Sequence, residues 1–332
     1  MTDAPLPTRR LDAARDADVA EAVRLLRAGR LVAVPTETVY GLAADATDPE
    51  AVRGIFTAKG RPSNHPLIVH LGDPAWLDAW AREVPETARR LAAAFWPGPL
   101  TLLLHKAAAV PGEVTGGRDT IGLRMPDHPV LLRVLRALGH GVAAPSANRY
   151  KRLSPTTADQ VLAGLDGRID AVLDGGPCAV GLESTIVDLT GTTPRILRAG
   201  PITRRQLEGV LGVAVEFPES HDAAVPGNVA VHYQPRTPLH MLDTDTLRAR
   251  LATLPADARI ALLAHTPGLS ANGVALRIAM PHGKAGYARL LYDALHTADA
   301  AKVDAIWLER PPNDDEWRDV HDRLSRAASS SG

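Results

Sequence analysis

Short apolar runs alternate with amphipathic segments through the first two hundred residues, and this alternation restricts the fold more than any other feature. Runs at 31–34 and 100–104 have the length of buried strands, whereas 49–58 and 129–138 carry apolar residues at helical spacing. Strands and helices that interleave in this way indicate an α/β domain. The pattern predicts a mixed, twisted sheet rather than a regular doubly wound one.

The pattern breaks down between residues 216 and 238, where four prolines occur and no period is sustained. Strand-like and helix-like segments then alternate again to the end of the chain, in an order typical of a small three-layer α/β domain with a largely parallel sheet. We therefore predict a domain at 1–215, a linker at 216–238 and a second α/β domain at 239–332. A connection as long as this linker favours a functional loop over a passive tether.

Composition narrows the class of protein. Lysine and arginine number 37 against 38 acidic residues, so no overall field attracts nucleic acid or an anionic membrane. Cys178 is the only cysteine, which excludes an intrachain disulfide and predicts a small buried side chain. The N-terminal residues lack the apolar run of a signal peptide, and no stretch approaches the length of a membrane span. We expect a cytoplasmic protein with no membrane partner.

The fingerprints of common nucleotide, metal and hydrolase sites are absent from the sequence: there is no P-loop, no dinucleotide glycine motif, no HExxH and no GxSxG. Polar residues instead gather at predicted strand ends, where ligand sites of α/β proteins lie. The segment PTETVYGL (35–42) presents hydroxyls, a carboxylate and a phenol directly after a strand. Such residues either cap a turn or contact a ligand.

Lysine and arginine side chains also gather at the ends of predicted helices and strands. The segment KGRP (59–62) comes after a predicted helix, where positive charge either relieves the helix dipole or clamps an oxyanion. Ser146 and Asn148 follow another strand and suit turn capping as well as ligand binding. Together with Arg124 and Arg198, these residues suggest a cleft that binds polyphosphate through side chains rather than through a glycine-rich loop.

Six motifs in register resemble one protein family. They are PTETVYGL (35–42), KGRP followed by PLIVH (59–70), WPGPLTLLL (96–104), TIGLRMPDHP (120–129), APSAN with SPTTA (144–158), and ESTIVDL before RILRAG (183–200). The set resembles the YrdC-type domain of threonylcarbamoyl-AMP synthases, and HYQPRTP (232–238) with the unit behind it is similar to the two-domain branch. The resemblance implies a YrdC-type twisted mixed sheet with helices around a concave cleft, plus a smaller three-layer, Rossmann-like α/β domain.

The implied reaction is that of a nucleotidyltransferase. L-threonine, bicarbonate or CO₂, and ATP would be joined into L-threonylcarbamoyl-adenylate, with release of pyrophosphate. Mg²⁺ would accompany ATP, and no protein side chain is predicted as a metal ligand. The product would serve the tRNA threonylcarbamoyltransferase machinery that forms threonylcarbamoyladenosine, and direct binding of tRNA to this chain is not required.

The resemblance also implies roles for individual positions. Threonine would be surrounded by Thr38, His70, Arg124, Ala144 (through its backbone) and Ser184. ATP would be bound by Arg61, His65, Thr120, Ser146, Asn148, Ser154, Arg198 and Tyr233. Lys59 and Arg61 would be catalytic, because cations neutralise the charge that develops when a carbamate attacks the α-phosphate. We expect both cations to face solvent in the free cleft.

Tyr233 gives the linker a function in this scheme. Prolines lower the entropic cost of holding an extended segment in place, which suits a flap over the cleft. Tyr233 would contact the nucleotide from the flap, and closure would keep water away from the labile mixed anhydride. The alternative is a surface linker with an incidental tyrosine.

Two positions depart from the family pattern. His65 stands where relatives commonly have asparagine, which would make that contact sensitive to pH. Lys151 stands where glycine is usual; this costs strain if the backbone there has a positive φ, and the lysine could equally add a phosphate contact.

Two other functions are weighed against the leading one. A related carbamoyl-adenylate-handling enzyme with a different acceptor is disfavoured by the full C-terminal unit and the HYQP segment. A non-catalytic RNA-binding module is disfavoured by the near-zero net charge and by an aromatic content of 4%.

Overall fold

The computed structural model describes residues 7–218, 221, 223, 225–227 and 232–328. The described residues form two compact units. The first draws on the ranges 1–150, 155–179 and 183–228, and the second on 151–154, 180–182 and 229–332. Among the described helices, none combines the length and the apolar character that crossing a membrane requires.

The strands of the first unit are β1 (Arg9–Asp12), β2 (Val32–Val34), β3 (Gly41–Asp45), β4 (Ile68–His70), β5 (Leu100–His105), β6 (Thr120–Arg124), β7 (Val142–Ala143), β8 (Ala171–Asp174), β9 (Thr185–Asp188) and β10 (Arg195–Arg198). Its helices are α1 (Asp16–Arg27), α2 (Pro49–Lys59), α3 (Leu77–Trp80), α4 (Glu86–Phe95), α5 (Gly112–Thr115), α6 (Pro129–Leu138), α7 (Ala158–Leu165) and α8 (Arg204–Leu211). A short 3₁₀ turn, Pro74–Trp76, precedes α3.

These strands form one 10-stranded sheet in the order β1-β8-β2-β3-β7-β4-β6-β5-β9-β10. Parallel pairs (β4 with β6, β5 with β9) are mixed with antiparallel pairs (β3 with β7, β5 with β6). The predicted mixed sheet is therefore confirmed.

The two faces of this sheet are packed differently. One face is apolar along its length, and its core includes α2, α4, α7 and α8. On the other face, α1 and α6 cover the part around β1, β8, β2 and β3. Over β4, β5 and β9, the described residues on that second face form a small apolar cluster, which includes Val225. The polar site lies on this less covered part of the sheet.

The second unit contains β11 (Leu239–Leu242), α9 (Thr244–Ala252), β12 (Ile260–Ala264), β13 (Val274–Ala279), α10 (Lys284–Ala300), β14 (Ala305–Glu309) and α11 (Arg318–Ala327), with a 3₁₀ turn at Asp315–Trp317. Its sheet has the order β11-β14-β12-β13 and is parallel throughout. The predicted second α/β unit with a largely parallel sheet is confirmed.

The structure contains four short elements that the sequence did not predict: β1, β3, α3 and α5. Strand β3 reads GLAAD, and glycine and alanine have weak strand propensity. In β1 only Leu11 is buried, so the edge strand shows no apolar run.

Cys178 is 3% exposed, and burial raises the pKa of its thiol to about 12, which confirms the expected small buried side chain.

Candidate active site

Strand alternation places the central arginine of the site. In β6, Ile121 and Leu123 enter the apolar core, so Arg124 projects from the opposite face. In β4, Val69 enters the same core, and His70 projects with Arg124. The parallel register pairs His70 directly with Arg124. A histidine and an arginine therefore lie side by side on the second face of the sheet.

The guanidinium of Arg124 is held at each of its nitrogens. Nε donates to the carbonyl oxygen of Gly98 at 3.2 Å, and Nη1 donates to Oγ1 of Thr38 at 3.1 Å. Nη2 lies 2.5 Å from Oε1 of Glu37. The hydroxyl of Thr36 accepts the backbone N–H groups of Thr38 and Val39, which fixes the turn that carries Glu37 and Thr38. Arg124 is thus oriented by a rigid turn and a backbone carbonyl.

Glu37 is an unusual partner for this arginine because its charge is almost fully buried. The residue is 5% exposed, and neither side-chain oxygen receives a hydrogen bond from a described residue. The contact with Nη2 of Arg124 is ionic, without the alignment of a hydrogen bond. Buried carboxylates without hydrogen bonds are costly, so this position calls for an explanation from function.

His70 is neutral in this site. Burial, together with the positive charge of Arg124, lowers the pKa of His70 to about 3. Its Nδ1 has no hydrogen-bond partner among the described residues. The ring therefore offers a polar atom to a ligand without adding charge near Arg124.

Ser184 belongs to a second group of contacts on the same face. Its hydroxyl lies 2.7 Å from that of Thr101 on β5, and Nη2 of Arg198 donates to Oγ of Ser184 at 3.0 Å. Gly200 approaches this turn so closely that a Cβ there would lie 2.2 Å from the backbone nitrogen of Thr185. A residue with a side chain at position 200 would displace the turn.

Lys59 is buried, contrary to the expectation of a solvent-facing cation. It is 2% exposed, and its Nζ donates to the carbonyl oxygens of Ser146 and, at 2.5 Å, of Asn148. The helix α2 ends at Lys59 because Gly60 adopts the left-handed conformation, with φ of 63°. Burial and the neighbouring charge of Arg61 hold the pKa of Lys59 well below its usual value. Lys59 therefore fixes the loop that carries Ser146 and Asn148.

The other residues expected at ATP are more open. Nη2 of Arg61 donates to the carbonyl oxygen of Pro66 at 3.0 Å, and the His65 ring lies edge-on to Tyr150 at 5.7 Å. Thr120 is half-buried at the start of β6. A Cβ at Gly60 would lie 3.4 Å from Nη2 of Arg149, so a further cation borders this loop.

The described part of the predicted linker packs onto the first unit. Nε2 of His221 lies 2.9 Å from the carbonyl oxygen of Leu197, and Nη1 of Arg198 donates to the carbonyl oxygen of Pro226 at 2.9 Å. Val225 joins the apolar cluster with Ile68 on the polar site's face of the sheet. The flap itself stays a prediction, because residues 219, 220, 222, 224 and 228–231 lie outside the described part of the chain.

Two predicted ATP ligands belong to the second unit. Tyr233 is 1% exposed, its ring lies 5.9 Å from that of Tyr292, and the guanidinium of Arg323 stacks on it at 5.4 Å. The carbonyl oxygen of Ser154 is 3.2 Å from Nε2 of His296. Lys151 has a φ of 66°, so the condition for strain at this usual glycine position is met. The contacts of Ser154 and Tyr233 with ATP stay predictions.

The structure brings together much of the predicted threonine set. Thr38 contacts Arg124, His70 is its register partner, and the backbone N–H of Ala144 donates to Ile68, two residues before His70, at 3.1 Å. Sequence reasoning missed Glu37, Thr101 and Arg149 as site residues. Thr101 is the one polar side chain inside the buried run of β5, and that contrast was the available signal. No group of three or more metal-ligating side chains occurs among the residues described.

Two family models match the chain. The Sua5/YciO/YrdC model, which carries the description "Telomere recombination", matches residues 24–200. The model described as "Threonylcarbamoyl-AMP synthase, C-terminal domain" matches residues 202–329.

Known proteins match this chain over almost its whole length, both in sequence and in structure. A threonylcarbamoyl-AMP synthase of Bacillus subtilis is 38% identical over 330 residues, which covers 94% of this chain and 93% of the relative. The structure of Sua5 from Pyrococcus abyssi complexed with L-threonine superposes with a TM-score of 0.88 at 34% identity, over 97% of each chain. A doubly substituted form of the same relative gives a TM-score of 0.89, covering 97% of this chain and 96% of that one. The chain therefore belongs to the Sua5/YciO/YrdC family and carries the C-terminal domain of threonylcarbamoyl-AMP synthases.

Proposed function

We propose that this chain is a nucleotidyltransferase that makes L-threonylcarbamoyl-adenylate from L-threonine, bicarbonate or CO₂, and ATP, with release of pyrophosphate. The observation that carries the proposal is the buried guanidinium of Arg124 between the hydroxyl of Thr38 and the neutral ring of His70. A guanidinium in a site with little water binds a carboxylate strongly and in a defined orientation. The similarity to a relative solved with L-threonine supports threonine as the amino acid.

The threonine pocket would act by binding and orienting the substrate. Arg124 would bind the α-carboxylate, while Thr101 on β5 and Ser184, directly before β9, offer hydroxyls on the same face. The neutral ring of His70 adds no charge to the pocket, and the amine must lose its proton before it can attack CO₂. The resulting carbamate is an anion, and its oxygen would then attack the α-phosphorus of ATP.

The phosphate side of the site would stabilise charge. Arg61 lies two residues after Lys59, and its Nη2 donates to the carbonyl oxygen of Pro66. Nζ of Lys59 donates to two carbonyl oxygens, and as an ammonium it would have one further N–H group for a phosphate oxygen. Mg²⁺ would arrive bound to ATP and help to neutralise the departing pyrophosphate. No side-chain nucleophile is needed for this chemistry, so catalysis would rest on positioning and electrostatics.

The product determines the partners. A mixed anhydride of a carbamate and AMP is labile in water, so we expect a second enzyme to consume it directly. That enzyme would be an acyltransferase that modifies tRNA. We propose a cytoplasmic location for the reaction, because ATP and tRNA are both available there.

The proposal is tested by pyrophosphate release from ATP with the full chain. Release should require both L-threonine and bicarbonate, and mass spectrometry should detect threonylcarbamoyl-adenylate. Pyrophosphate release with bicarbonate but without threonine would indicate a related enzyme with another acceptor. No release under any condition, with retained tRNA binding, would favour an RNA-binding module.

A further inference from the structure

The buried carboxylate of Glu37 is not accounted for by the contacts around it. Its charge is compensated by Arg124 at 2.5 Å, yet neither oxygen accepts a hydrogen bond from the described residues. An ionised carboxylate has about four lone-pair sites for donors. The turn that carries Glu37 is itself fully tied by Thr36, so this arrangement does not result from a loosely held segment.

Two titratable groups that are affected by the charge of Glu37 do not supply the missing donors. The charge of Glu37 acts on His128 and Cys178, in each case raising the pKa of the neighbour. Burial nevertheless holds the pKa of His128 below its usual value, and the thiol of Cys178 stays protonated. Nδ1 of His128 also has no hydrogen-bond partner in the described chain. Both oxygens of Glu37 are therefore buried without a hydrogen-bond donor among the described residues.

We propose that Glu37 binds the α-ammonium group of the amino acid substrate while Arg124 binds its α-carboxylate. This inference rests on the proposed function and assigns a specificity-determining residue to the same pocket. The two opposite charges of the site are in direct contact, so they match a ligand whose own opposite charges sit on a single carbon. An α-amino acid has that spacing, and a simple carboxylic acid lacks the second charge.

The charge balance favours the same assignment. Glu37 and Arg124 neutralise each other in the free site, which avoids the large cost of one isolated buried charge. A zwitterion adds no net charge when it enters. It replaces a poorly aligned ionic contact with aligned charge-assisted hydrogen bonds on both partners. An acid without the amino group would leave Glu37 unpaired next to a second carboxylate.

The test is a calorimetric comparison of two ligands on two forms of the full chain. L-threonine and 3-hydroxybutyrate, which has the carboxylate and the hydroxyl but no amino group, are titrated into the wild type and into Glu37→Gln. The wild type should bind threonine about 10- to 100-fold more tightly than 3-hydroxybutyrate, the effect of one charge-assisted hydrogen bond. In Glu37→Gln this preference should fall to within about threefold, the level expected when that bond is lost. Binding of 3-hydroxybutyrate should be unchanged or tighter.

Asp188→Asn is the matched control. Asp188 is also a buried carboxylate paired with an arginine, Arg195, at 2.6 Å, but it receives hydrogen bonds from Thr190. This variant should keep the full preference for threonine. If Glu37→Gln does not fold, Glu37→Asp keeps the charge and retracts it by one methylene, and the preference should then be reduced.

The outcomes separate the two proposals. If Glu37→Gln, or Glu37→Asp in its place, keeps the wild-type preference while the wild type makes the adenylate, the role of Glu37 is wrong and the enzyme assignment stands. If the wild type binds neither ligand and releases no pyrophosphate, the proposed function fails. Tighter threonine binding by Glu37→Gln would also overturn the proposal, since it would make Glu37 a competitor of the substrate carboxylate.

Discussion

Two buried glutamates, one in each unit, differ in the hydrogen bonds that their carboxylates accept. Glu309 is fully buried at the end of β14, and its Oε2 accepts the backbone N–H groups of His265 and Thr266 at 2.8 Å each. Its Oε1 accepts the hydroxyls of Thr244, at 2.8 Å, and Thr266, at 2.5 Å. Glu37 is buried to a similar extent and accepts no hydrogen bond from the described residues.

This difference gives a criterion for distinguishing buried polar groups that stabilise the fold from buried polar groups that bind a ligand. A carboxylate whose lone pairs are all used ties backbone segments together, and its removal should affect folding. A carboxylate with one ionic contact and open lone pairs contributes less to the fold, since what it lacks is a donor from outside the chain. The predictions that follow test this contrast, beginning with the group that is fully satisfied.

Glu309→Ala should produce the largest change, and the change should be in stability. Four donors would lose a charged acceptor inside the second unit, and breaking such a buried network costs about 3–5 kcal/mol. Hydrogen exchange measured by mass spectrometry should show loss of protection in β12 and β14. The exposed Glu316→Ala, in the same unit, should leave exchange unchanged. Equal protection in Glu309→Ala and the wild type would contradict the proposed difference between Glu309 and Glu37.

Arg124→Lys should mainly change substrate binding. Lysine keeps the positive charge but loses the planar fork that binds a carboxylate through two bonds. We expect KM for threonine to rise by about 10- to 100-fold, from the loss of about 1.5–3 kcal/mol, while KM for ATP changes little. Pyrophosphate release at varied threonine and ATP measures both values. Arg133→Lys, on the exposed side of α6, serves as control. Equal effects on both substrates would place Arg124 between them.

Lys59→Met should show both kinds of effect, because Lys59 is satisfied by the protein and yet borders the site. Two backbone carbonyls would lose their donor, so the free energy of unfolding should fall by about 1–3 kcal/mol. KM for ATP should rise as well, because the loop with Ser146 and Asn148 would no longer be fixed. Arg61→Ala, at a half-buried position, should raise KM for ATP with little change in stability. A stability loss as large in Arg61→Ala would contradict this distinction.

The sequence was sufficient for most elements of the fold and for the positions of the site. The apolar period predicted helices such as Pro129–Leu138 with their observed bounds. The alternation in β6 also made it foreseeable that Arg124 would leave the core. Strand β3 was missed because its small residues carry little strand signal.

Burial of charged groups was the part that sequence could not supply. Lys59 and Glu37 look like solvent-exposed residues in a sequence, since charged side chains usually are. Their burial arises from loops that are distant along the chain, as with the carbonyls of Ser146 and Asn148 around Lys59. The grouping of 151–154 and 180–182 with the second unit has the same origin. Long-range contacts of this kind leave no local period.

The smallest expected effect is a pH dependence of stability that comes from His70. Its pKa is about 3 in the folded chain, below the value of a histidine in an unfolded chain, which is about 6.5. The unfolded state therefore takes up the proton first as pH falls, so stability is complete above about pH 6.5 and is lost towards about pH 3. Between about pH 7 and 5.5, urea unfolding should show a loss about 1 kcal/mol larger in the wild type than in His70→Asn.

The comparison isolates His70 because both forms keep the other buried histidines, including His128 and His296. Bound threonine gives a second check. Its carboxylate would neutralise Arg124, whose charge helps to lower the pKa of His70, so the difference between the two forms should become smaller with ligand. Identical pH profiles for wild type and His70→Asn would mean that His70 titrates normally, and that the open polar groups of this pocket do not share one electrostatic environment.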